Sequence, residues 1–270
     1  MKKLIALTIL TALALPAAAA AAEANAYADI LSAYVYYGQV GNDEAVFQPG
    51  LDVSGPFGLG YSFWASMNLT DVESSWAPDS AGKWGEVDLG LNWTVPVDAP
   101  VSLTVGGTYF IYPQDSSEVV ENDDGTYTAT KAPADGSYEV YVAVAADSVI
   151  LTPTLAAYHG MANSDDWIAM LTLSHSLPVA DALSLDLGAS VSAAGEYYIA
   201  NDYGSDAGAG LAHGQIDVAL NYAVSEALSV GVKGSFSSIL DSEVRDDIKE
   251  GDVYPEVDIF FGGVTASYSF

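Results

Sequence analysis

The chain has 270 residues, 36 Asp and Glu against 7 Lys and Arg, a formal net charge of −29, half of its residues hydrophobic, and no cysteine. A polyanion is repelled by such a chain, which excludes a nucleic-acid binder, and the apolar and aromatic content excludes disorder. The missing cysteine excludes a disulfide framework, a thiolate metal site and a thiol nucleophile.

The first element is a leader. Lys2 and Lys3 precede an apolar run from Leu4 to Leu15 and then an alanine tract, the order of a secretory signal peptide. The apolar run is too short to span a bilayer. Residues 1–22 are expected to be removed, with cleavage as late as Ala26 also compatible, and 27–270 to form one domain.

After the leader the pattern is period-two alternation, the mark of half-buried strands. Twelve strands are predicted, near Tyr27–Val40, Ala45–Gly55, Leu59–Thr70, Trp84–Val95, Val101–Tyr112, Ser137–Ala146, Ser148–His159, Asp166–Leu177, Leu183–Tyr197, His213–Val224, Leu228–Ile239 and Val257–Phe270. Val87, Leu89, Leu91 and Trp93 share one face of the fourth, and Glu86, Asp88, Gly90 and Asn92 the other. The first and seventh segments alternate poorly.

Alternation also suits a secreted β-sandwich. Three features favour a barrel turned apolar side out. The polar face is built from Gly, Ser, Ala, Asn and Thr with scattered Asp, which suits a confined interior. Short connections (Gly55–Gly58, Pro96–Pro100, Ala146–Ser148, Pro178–Leu183, Ser225–Ala227) alternate with long acidic ones (Asp71–Lys83, Pro113–Gly136, Ile199–Ala212, Leu240–Glu256). This is the turn-and-loop asymmetry of outer-membrane barrels. The chain closes on Val264, Ala266, Tyr268 and Phe270 at every second position, a pattern resembling the terminal signal read by the barrel assembly machinery.

Aromatic residues collect at strand ends. Tyr37, Phe47, Trp84, Tyr109, Tyr138, Tyr158, Trp167, Tyr197 and Phe260 fall at the loop ends, and Phe57, Tyr61, Trp93, Tyr222, Tyr268 and Phe270 at the turn ends. Two interfacial girdles have this layout. The expected fold is all-β: a transmembrane antiparallel up-and-down barrel of about twelve strands, roughly 24 Å across at the backbone.

The segments Gly41–Pro49, Ser184–Ser190 and Val264–Phe270 are similar to those of bacterial barrels in the TorF porin family. The resemblance implies an outer-membrane porin-like protein and carries no catalytic motif.

Most acidic residues fall in the predicted outer loops. Asp52, Glu86, Asp88, Glu139, Asp186, Asp217 and Asp258 are assigned to the lumen, with Lys233 as the one basic residue there. Rings of carboxylates favour cations. The expected function is passive passage of small hydrophilic solutes with a cation bias, through a bacterial outer membrane. The rival is a barrel plugged by its longest loop, Pro113–Gly136, acting as a surface binding or structural protein. The expected partners are the lipid bilayer, the barrel assembly machinery through Phe270, small solutes or cations, and further copies of the chain in a homo-oligomer. No cofactor is expected. The acidic loops Asn122–Gly125 and Asp241–Asp252 lack the spacing of a calcium loop. Catalysis is not expected: His175 and Ser176 are adjacent, so on a strand they face opposite sides and form no dyad.

Overall fold

In hydrocarbon every backbone N–H and C=O needs a protein partner, so a sheet crossing a membrane must close on itself. The computed structural model shows this closure. It describes residues 22–70, 81–113, 118–121, 127–130, 136–160 and 165–270. The predicted leader therefore lies outside the described residues, apart from Ala22, as does most of the Asp71–Lys83 loop.

The strands are β1 (Glu23–Leu31), β2 (Tyr34–Tyr36), β3 (Gln39–Asn42), β4 (Val46–Ser54), β5 (Leu59–Asn68), β6 (Trp84–Thr94), β7 (Ser102–Ile111), β8 (Glu118–Glu121), β9 (Tyr127–Thr130), β10 (Ser137–Ala145), β11 (Thr154–Gly160), β12 (Trp167–Ala180), β13 (Leu183–Ala194), β14 (Gly210–Ala223), β15 (Leu228–Ile239) and β16 (Asp258–Ser269). Among the described residues two α-helices interrupt the loops, α1 (Glu196–Asp202) and α2 (Ser242–Gly251). Twelve strands form a closed barrel in the order β1-β4-β5-β6-β7-β10-β11-β12-β13-β14-β15-β16 and back to β1. All neighbours are antiparallel, and the seam pairs Asn25 with Ser269 and Leu31 with Gly263. The hairpins β2–β3 and β8–β9 stand outside this ladder.

The apolar face is on the outside. Leu91, Val105, Val142, Leu155, Leu171, Ile216, Val232 and Val264 are all exposed while their sequence neighbours on the polar face turn inward. A water-soluble protein rarely shows an apolar patch beyond a few hundred Å², and here such residues run around the whole wall. Phe47 packs against Trp84, and Trp84, Tyr109, Tyr138, Trp167 and Phe260 ring the loop end of the outer wall. Phe57, Trp93, Tyr222, Tyr268 and Phe270 ring the turn end. Strands do the crossing: among the described residues no helix is long and apolar enough to span a membrane.

Two strand expectations are corrected. The first strand runs Glu23–Leu31 rather than Tyr27–Val40, because its second half leaves the wall. The seventh begins at Thr154 rather than Ser148. Pro153 has no N–H for the ladder, and Val149 and Thr152 instead donate to Ala146 and Val149 carbonyls in a longer turn.

The seam depends on a bare backbone. A Cβ on Gly263 would stand 1.8 Å from the Ile30 carbonyl oxygen and 3.0 Å from Leu31 Cα. Gly263→Ala is expected to destabilise the folded barrel by about 1–3 kcal/mol, read as a lower urea midpoint. Gly210→Ala, where a Cβ meets nothing within 4 Å, is expected to leave the midpoint unchanged.

Candidate functional site

The inner wall is made by the small-polar strand face. Between the two mouths it carries Asp29, Asp52, Glu86, Asp88, Glu139, Asp186 and Asp217, and Lys233 is the one basic residue there among the described residues. Six of the seven acidic residues assigned from sequence thus share the lumen with Lys233. Asp258 does not. Its register partner is Ser238, two residues from the outward pair Phe236–Phe260, whose rings are 4.4 Å apart. Asp258 therefore sits on the outward parity at the loop rim, held by Arg245 of α2 and by Ser238.

Asp29 is the residue that sequence reading missed. It is buried, and its Oδ2 lies 2.5 Å from Lys233 Nζ. The pair reaches from β1 to β15 across β16, where Gly263 faces Lys233 and has no side chain to intervene. Its signal was present in the alternation Tyr27, Asp29, Leu31, which a strand starting at Glu23 would have exposed.

The other carboxylates have their own supports. Asp186 accepts from Ser176 (2.5 Å) and Asn221 (2.6 Å), and Asp217 from Gln215 (2.8 Å) and Ser235 (2.6 Å). Ser176 therefore points inward, and His175 lies on the opposite strand face, which leaves the two without the geometry of a dyad. Glu86 accepts from Tyr34 Oη at 2.6 Å. Asp88 Oδ1 is enclosed and has no hydrogen-bond partner among the described residues.

Tyr34 belongs to the dominant feature of the lumen. Residues 32–45 do not run along the rim. They turn inward as the β2–β3 hairpin. Tyr37 and Gly38 form its two-residue turn with φ of 48° and 83°, the paired positive angles of a type I′ turn. Glycine is required at the second position, since a Cβ would lie 2.7 Å from Ile239 Cδ1 and 2.8 Å from His213 Cβ. The segment Ala33–Tyr37 is apolar on both strand faces because both are covered. Tyr34 packs on Trp64 (5.4 Å between rings), Tyr36 on Phe110 (6.3 Å), and Tyr37 on Tyr158 (6.0 Å) and His213 (5.8 Å). Tyr37 and Tyr158 are thus lumen residues, which corrects their place in the expected girdle.

The hairpin tip is anchored by a small hydrophobic core at the loop end. Tyr198, Ile199 and Tyr203 from the α1 region, Val244 and Ile248 from α2, and Ile239 and Val257 from the flanking strand ends are buried together. Asp166 Oδ2 accepts from the Tyr197 and Tyr198 amides at the start of α1, and Asp241 accepts from the Glu243 and Val244 amides at the start of α2. Asp241 is the N-cap of α2, whereas Asp166 reaches the first amides of α1 from outside its N-cap position, Gly195, so the acidic stretch Asp241–Asp252 is a capped helix. Asn122–Gly125 lies outside the described residues.

From this core Tyr203 Oη donates to the Tyr37 carbonyl at 2.6 Å. Gln39 Nε2 donates to Tyr198 Oη at 3.3 Å, and Tyr254 Oη lies 2.9 Å from Gln39 Oε1. Burial raises the pKa of Tyr198, Tyr203 and Tyr254 well above the ordinary phenol value, so all three remain neutral phenols. At the hairpin base Asn42 Nδ2 donates to Asn68 Oδ1 at 2.8 Å.

Beneath the hairpin a cavity of about 560 Å³ spans the lumen, bounded by Tyr34, Trp64 and Asp88 on one side and by Asp186, Asp217 and Lys233 on the other. The longest loop, expected as the plug, has its own two-stranded sheet β8–β9 and is otherwise largely outside the described residues. The described segment that enters the lumen is the first loop.

No protein-family profile matches the sequence, and no curated protein matches it. Solved structures do. The barrel is similar to the KdgM porin in complex with disordered oligogalacturonate, at 8% identity and a TM-score of 0.51 over 92% of this chain and 99% of that chain. A second KdgM porin structure gives 9% identity and a TM-score of 0.50 over 92% and 99%. The fold is that of the outer-membrane porins. At such identities the likeness extends to the fold alone, and the lumen must be read from its own residues.

Tyr203→Phe is expected to leave the Tyr37 carbonyl unpaired and to loosen the hairpin by about 1–3 kcal/mol. Hydrogen exchange should show faster exchange at hairpin amides with the barrel amides unchanged.

Proposed function

We propose that the chain is an outer-membrane channel for passive diffusion of small hydrophilic solutes, with a preference for cations. The observation that carries the preference is the make-up of the wall: among the described residues, seven inward Asp and Glu side chains against one lysine, itself paired with Asp29. Carboxylate-lined pores concentrate cations and repel anions. The same field disfavours a polyanion such as the oligogalacturonate found with the KdgM porin, so a shared fold is not read as a shared substrate.

The β2–β3 hairpin is the constriction of this channel. Residues 1–22 act as the export leader, and Phe270, exposed at the turn end beside Tyr268, is the handle for the assembly machinery. The resemblance to TorF-family barrels belongs to the same reading.

Planar-bilayer recording in asymmetric KCl tests it. The reversal potential is expected to favour K⁺, and the joint Asp88→Asn and Asp217→Asn substitution to reduce K⁺-over-Cl⁻ selectivity roughly twofold or more. A chloride-favouring potential would sink the cation preference. Silence from well-folded protein would favour the rival, a plugged surface barrel. Replacing residues 34–42 with a short Gly-Ser linker is expected to raise single-channel conductance, since it removes the segment that fills the lumen.

A further inference from the structure

The cavity under the hairpin is more than a passage. Its β5–β6 side brings together an aromatic surface and a carboxylate. Trp64 and Asp88 are direct cross-strand partners on the inner wall. Tyr34 of the hairpin leans on Trp64 with rings 5.4 Å apart and 45° between planes. Asp88 Oδ1 is enclosed and has no hydrogen-bond partner among the described residues. Asp217 faces the same space from the opposite wall. Lys233, the one basic residue of the wall among the described residues, is tied to Asp29 and not to Asp88.

An aromatic face beside a carboxylate recognises a particular class of ion. A bare metal ion gains little from a ring and loses its water. An organic ammonium keeps an apolar skin that packs on the ring, adds cation–π attraction, and still pairs with the carboxylate. About 560 Å³ is also the size of a small-molecule site rather than of an ion-coordination shell.

We infer that the chamber formed by Trp64, Tyr34 and Asp88 under the β2–β3 hairpin is a binding site for small organic ammonium ions, which makes them the solute class this channel selects; the inference rests on the channel reading for its transport part and on the chamber alone for its binding part. The hairpin is part of the site, since it supplies one of the two rings.

The test uses the full chain in detergent and tetramethylammonium chloride as the probe, with NaCl as the reference. Calorimetric titration is expected to show saturable tetramethylammonium binding that Na⁺ does not reproduce. Trp64→Leu and Asp88→Asn should each weaken it about tenfold, Trp64→Phe should retain most of it, and Trp93→Phe on the outer wall should leave it unchanged. Heat-modifiable migration confirms that each variant is folded, and Asp88→Asn carries the comparison if Trp64→Leu is not. The same probe is then added to a KCl current across a planar bilayer. Binding that responds to Trp64 without any current keeps the site and removes the channel. A current with tetramethylammonium no better bound than Na⁺, or bound equally by Trp64→Leu, keeps the channel and overturns the site.

Discussion

The hydrocarbon's refusal to hydrogen-bond is the constraint from which the rest of this structure follows. An open edge within the bilayer would leave a row of unpaired N–H and C=O groups, each costing several kcal/mol. Closure of twelve strands removes the edge and creates an inside. Once the outer rows are committed to lipid, the inner rows are the only place within the membrane where charge can stand. High hydropathy and a net charge of −29 therefore belong to different radii of one cylinder.

Closure also creates a space that must be dealt with. Twelve strands leave a lumen on the order of 10 Å across, wide for a packed core and narrow for an open pipe. Here it is partly filled by the chain itself. The β2–β3 hairpin brings three tyrosines inward, and the loop-end core of α1, α2 and the strand tips holds its turn in place. The filling is asymmetric: polar carboxylates line the chamber below the hairpin, and apolar packing secures the tip above it.

The wall was legible because alternation is a direct image of an inside and an outside. All twelve strands could be drawn from it, with errors at the ends. The hairpin was not legible, and the reason is physical. A segment covered on both faces does not alternate, so Ala33–Tyr37 read as a poor continuation of the first strand. That error hid Asp29. Tyr158 was misplaced because an aromatic at a strand end looks the same from either side, and its inward role is set by Tyr37, far away in sequence. Asp258 was misplaced by its polarity, although its parity with Phe260 and Val264 points outward. Helix α2 was more accessible: the Asp241 cap and the Val244–Ile248 spacing are a helix signature inside what looked like an acidic loop.

The Asp29–Lys233 pair couples two properties that a channel would otherwise adjust separately. It spans the strand at which the cylinder is joined, and among the described residues it also holds the only fixed positive charge of the inner wall. Loss of the lysine would deepen the negative field and at the same moment strand a buried carboxylate at the joint, a defect that costs several kcal/mol. Loss of the aspartate would leave an unpaired ammonium standing in the lumen. Drift in ion preference at this position is thus constrained by mechanical integrity, and the carboxylates away from the joint, such as Asp52 and Glu139, are where the pore's character is free to change.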